Sequence, residues 1–103
     1  MERFSSRTID ELGRIVIHID LRRLLILETG DKVSLTLVGT LVIMQRVEDC
    51  SEDAVGPVCA LSTISELGMI KLPAEFRKRL GWEAKEKVAL YHTDNMVIMK
   101  SAS

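Results

Sequence analysis

The apolar residues of this chain fall in short alternating runs rather than long helical stripes. From Arg14 to Ile17 the alternation puts Ile15 and Ile17 on one side, as a strand requires. Residues Ile19–Leu25 and Pro73–Leu80 read as short helices, with Pro73 suited to the first helical position and Gly81 to the residue just past the end. Between and after them come two hairpin patterns. In the first, Val33, Leu35 and Leu37 share a face, Gly39 marks the turn, and the chain returns through Leu41 and Ile43. In the second, Val88 and Leu90 lead to a turn at Asp94-Asn95 and a return through Met96 and Ile98.

The two patterns are one pattern written twice. Thr8–Gln45 aligns with Thr63–Lys100 without a gap, and 15 of the 38 positions are identical. Among them are Glu11/Glu66, Leu12/Leu67, Gly13/Gly68, Arg22/Arg77 and the triplets Val42-Ile43-Met44 and Val97-Ile98-Met99. A repeat at fixed spacing implies one supersecondary unit built twice. Each copy offers about four short strands and a helix of about two turns, too little apolar surface to close a core alone. The expectation is a mainly β fold with short helices, in which each unit forms a small β-barrel by pairing with another copy.

Composition narrows this. At 103 residues and 47% hydrophobic the chain is long enough for one compact unit or two very small ones and too apolar for general disorder. No apolar run reaches the length of a membrane span and MERFSSRT lacks the core of a signal peptide, so a cytoplasmic protein is expected. Cys50 and Cys59 have no metal-ligand spacing and read as reduced thiols. The net charge of −1 is unevenly spread. Residues 1–45 are neutral, 46–62 carry −3 and 63–103 carry +2. An acidic linker over 47–61 therefore separates a first unit, 1–46, from a second, 62–103.

The phrases TIDELGRIVIHIDLRRLL and ETGDKVSLTLVGTLVIMQR resemble the DNA-binding domain of AbrB-type transition-state regulators, the looped-hinge or swapped-hairpin family. The resemblance covers about residues 5–47 and, more weakly, about 62–101. It implies two interleaved chains forming a small β-barrel with helices at its side, an assembly that binds double-stranded DNA, and contacts through arginines at Arg7, Arg14, Arg22 and Arg23. The second copy has Ser62, Met69, Arg77 and Lys78 there, so two of four arginines are lost. Lys71, Arg77 and Lys78 are auxiliary candidates. His18 replaces the family's usual proline, and Ile26 stands where Gly81 ends the second helix.

Arginine suits such a surface because its planar fork grips two phosphate oxygens or the N7/O6 edge of guanine. Adjacent on a helix, Arg22 and Arg23 should diverge by about 100°. Phe76 and Trp82 read as core or interface anchors, His92 as a packing residue and His18 as no metal ligand. No nucleophile–base pair, phosphate loop or carboxylate cluster is present, so neither an enzyme nor a cofactor is expected. The linker permits the two copies to fold on each other within the chain or like to pair with like between chains. The loss of arginines from one copy favours the second plan: a homodimer, with a tetramer as its extension, in which the first units bind DNA and the second serve oligomerisation. The competing expectation is a protein-interaction or antitoxin-like module.

Overall fold

The structure, a computed structural model, describes residues 3–47 and 59–102. Most of the acidic linker, including Cys50, lies outside the described residues. Among the described residues eight strands and two short helices follow one another: β1 Arg3–Thr8, β2 Arg14–Val16, α1 Ile19–Leu24, β3 Lys32–Val38, β4 Leu41–Arg46, β5 Cys59–Thr63, β6 Met69–Lys71, α2 Ala74–Leu80, β7 Lys87–Thr93 and β8 Met96–Ser101. None of the described helices is long and apolar enough to cross a membrane.

The two halves of the chain pair with each other, contrary to the like-with-like expectation. Antiparallel strands run β1-β7-β8-β4-β3-β5 in a six-stranded sheet, and β2 pairs with β6 in a separate ribbon. The first strand of each half lies along the hairpin of the other: β1 against β7, and β5 against β3. The two return strands, β4 and β8, meet at the centre. Backbone bonds from Ile9 N to Glu86 O and from Ile64 N to Asp31 O add further ties between the halves. Hydrogen bonding does not close these strands into the expected barrel, because β1 and β5 remain the edges of the larger sheet.

The repeat is stricter in the backbone than in the sequence. Every described residue with positive φ has a counterpart 55 positions away that also has positive φ: Gly13/Gly68, Ile26/Gly81, Gly30/Lys85 and Gly39/Asp94. Both helices end alike. Leu27 N donates to Arg22 O and Trp82 N to Arg77 O, while Ile26 N and Gly81 N donate to Arg23 O and Lys78 O, the paired bonds of a Schellman end. The apolar residue following each left-handed position, Leu27 or Trp82, is buried.

His18 occupies the proline position with φ −52°, close to the −56° of Pro73, and its Nδ1 accepts from Asp20 N at 3.1 Å. The missing ring constraint is thus replaced by a side-chain cap. Pro73 itself is the N-cap of α2 rather than its first helical residue.

One buried cluster joins the halves, drawing Ile15, Ile17, Ile70 and Leu72 from around the ribbon, Leu21 and Phe76 from the helices, and Val33, Leu35, Val88 and Leu90 from the sheet. On the return strands the buried residues are Val42, Met44, Val97 and Met99, while Leu41, Ile43, Met96 and Ile98 are only half-buried. The expected parity is therefore off by one. Leu35 stands opposite Met44 and Leu37 opposite Val42, and directly opposed residues share a face.

Candidate functional site

The β2–β6 ribbon is three residues long on each side, with Arg14 opposite Lys71, Ile15 opposite Ile70 and Val16 opposite Met69. Ile15 and Ile70 are buried, so the period of two turns Arg14, Val16, Met69 and Lys71 outward. The repeat relates Arg14 to Met69 and Val16 to Lys71. Exchanging arginine for methionine in one strand and valine for lysine at the other position leaves both cations at the same end of the ribbon and an apolar pair at the other.

Arg14 is held in place. Asp10 Oδ1 accepts from Leu12 N at 2.9 Å and Arg14 N at 2.7 Å, and its Oδ2 accepts from Arg14 Nε at 2.7 Å. The Arg14 backbone N–H holds the Asp10 carboxyl below its usual range; partial desolvation opposes this, and the guanidinium and the Leu12 N–H add to it. The second half has Ser65 at the same place, where Oγ accepts from Met69 N at 3.1 Å. Serine keeps the backbone contact of the turn, and the carboxylate that orients a guanidinium occurs only where a guanidinium exists. Asp10 went unnoticed as a site residue in the sequence, although its place four residues before Arg14 in a turn was the signal for it.

Arg22 and Arg77 make packing contacts between the halves. Arg22 Nε donates to Ile17 O at 2.9 Å and Arg77 Nε to Leu72 O at 3.3 Å. Each guanidinium then lies over the turn glycine of the other half. A Cβ on Gly13 would stand 2.5 Å from Arg77 Cζ, and one on Gly68 would stand 2.8 Å from Arg22 Nη2. The identity of both arginines and both glycines in the repeat follows from this reciprocal packing, with each turn bonded to the opposite half through Leu72 N to Gly13 O and Ile17 N to Gly68 O.

The sequence-designated cations therefore do not form one cluster. Arg14 and Lys71 are register partners next to the Gly13 turn, over which the Arg77 guanidinium lies, while the Arg22 guanidinium lies over the Gly68 turn. Arg22 and Arg23 diverge, the first half-buried and the second exposed on α1. Arg7 lies on β1 opposite Val88, with its Nε buried and unpartnered among the described residues. Its counterpart Ser62 stitches β5 to β6, donating from Oγ to Lys71 O and accepting from Lys71 N, both at 3.2 Å. Lys78 is exposed on α2. Phe76 and Trp82 are core residues, 1% and 4% exposed.

The fold defines a mainly β protein with two short helices. No family model matches the chain, and no curated protein matches it. Among solved structures it is similar to the solution structure of PHS018 from Pyrococcus horikoshii, at 19% identity and a TM-score of 0.53 over 98% of this chain and 94% of that one. A likeness at this identity concerns the fold alone.

Proposed function

We propose that this chain is a DNA-binding transcription regulator of the AbrB type, in which two swapped-hairpin units within one chain pair with each other. The placement of the register partners Arg14 and Lys71 beside the one glycine turn that the Arg77 guanidinium covers, with Arg14 oriented by Asp10, carries this reading. Clustered cations set a local potential that attracts phosphates despite a net charge of −1. Arg14 and Arg23 are the contacts of the first half, with Lys71 and Lys78 beside them. Arg22 and Arg77 act chiefly by holding the turns. Arg7 serves from β1.

Titration of labelled duplex DNA at two salt concentrations tests the reading. The parent should bind and weaken steeply with salt. Arg14→Ala and Arg23→Ala should bind less well, and Lys100→Ala, on β8, should bind as the parent does. Equal binding by all four proteins contradicts the assignment.

A protein partner is the second reading, favoured by one observation. Ile19, Leu24 and Ile26 are 45%, 53% and 70% exposed around α1, where the second half has Ala74, Arg79 and Gly81. Loss of binding to a protein partner by Leu24→Arg, with DNA binding intact, would support it.

A further inference from the structure

Arg14 and Lys71 stand directly opposite each other on adjacent antiparallel strands, with Cβ atoms expected about 4.5–5.5 Å apart. Like charges so placed repel and destabilise the pair. Asp10 neutralises part of this, but its Oδ2 takes the Nε of Arg14 and no described carboxylate is ion-paired with Lys71. Lys71 is exposed, and its backbone is already bonded to Ser62, so its ammonium has no part in holding the strand. The unfavourable pair arises from two opposite changes within the repeat, Arg14 to Met69 and Val16 to Lys71. The lysine sets one cation from each half side by side, and the methionine removes the cation from the other end; together they leave this pair as the outward-facing charge of the ribbon.

We propose that Arg14 and Lys71 form a composite phosphate-binding pair, and that its ligand is the phosphodiester backbone of duplex DNA. This rests on the DNA-binding reading and sharpens it: Lys71 supplies, from across the ribbon, the cation that position 69 no longer carries. The second half is then part of the DNA surface and not only a support for the first. Arg14, fixed by Asp10, presents its remaining donors as an oriented fork, and Lys71 adds a mobile point charge beside it. Val16 and Met69 make the other end of the ribbon apolar, so the ribbon offers this pair at one end only.

The test measures affinity for a fluorescein-labelled mixed-sequence DNA duplex across a series of salt concentrations, using the full chain. Each lost phosphate contact should lower the slope of log affinity against log salt by about 0.9. Lys71→Val, which installs the residue of the counterpart position, should lower the slope by one such step, as should Arg14→Ala. Lys71→Arg should restore it, and Met69→Ala should leave it unchanged. Without DNA, Lys71→Val should melt no lower than the parent, because a repulsion has been removed. A salt-sensitive parent whose slope is unchanged in Lys71→Val overturns the composite pair and leaves the DNA reading standing. A failure of Lys71→Arg to restore the slope also overturns the pair. A parent that shows no salt-sensitive binding overturns the DNA reading itself, and the pair with it.

Discussion

Replacing Gly13 by alanine separates two reasons for a glycine. The first is conformational: φ is +79°, and the left-handed region costs an L-residue about 1–2 kcal/mol. Alanine regains about 0.4–1 kcal/mol by restricting the unfolded chain, leaving a net cost of roughly 0.5–1 kcal/mol. The second reason is the guanidinium of Arg77, which a new Cβ would meet at 2.5 Å. Arg77 ends a flexible side chain and can withdraw, but withdrawal breaks its hydrogen bond to Leu72 O. At 3.3 Å and part-buried, that bond belongs at the low end for a charged donor, about 1.5 kcal/mol.

Gly39 provides the comparison, with φ of +59° and nothing within 4 Å of a built Cβ. Gly13→Ala should therefore cost about 2 kcal/mol and Gly39→Ala about 0.5–1 kcal/mol. Urea unfolding followed by the fluorescence of Trp82, the single tryptophan and 4% exposed, measures both. In an Arg77→Ala background the cost of Gly13→Ala should fall to that of Gly39→Ala. Equal costs in the parent, or a cost at Gly13 indifferent to Arg77, would refute the reciprocal packing.

Two further predictions concern the first half. Ile26 is a β-branched residue at φ 55° and 70% exposed, so Ile26→Gly relieves left-handed strain while adding unfolded-state entropy. A net gain of roughly 0.5–1 kcal/mol is expected, seen as a higher melting temperature. Asp10 has its pKa lowered by folding, so its contribution is complete above the ordinary carboxylate value of about 3.9 and is lost as pH falls through the lower folded value. Asp10→Asn should remove that part of the acid-side stability loss in a melting series from neutral to acid pH.

Much of the architecture was legible because the repeat is gapless: strand and helix positions read from one copy could be checked against the other. Gly13 and Gly68 recur at the same place in both copies, and the positive φ that each adopts is a local property of glycine. Their second role was hidden, because the guanidinium over each glycine comes from the opposite half and no local spacing reveals it. The same blindness affected the arginines. Arg22 and Arg77 were legible as candidate DNA contacts, but not the packing across the halves that both make. Lys71 looked auxiliary because it comes to stand opposite Arg14 only in a register that exists once the halves pair. Hairpin parity failed for a local reason: Val38 pairs with Leu41 across a two-residue turn, which turns Val42 and Met44, rather than Leu41 and Ile43, to the side of Leu35 and Leu37. The lost arginines suggested separate assemblies for the two copies, but the halves pair and unequal residues can serve one shared surface.

The central claim is that duplex DNA is bound at a turn built by both halves of one chain. Titration of the isotope-labelled chain with duplex DNA, followed through its backbone amide resonances, tests it most directly. The account predicts the largest shifts together at Gly13, Arg14, Lys71 and Leu72, with the β3–β4 turn at Gly39-Thr40 unchanged. Shifts confined to residues of one half, or centred away from the Gly13 turn, would contradict it.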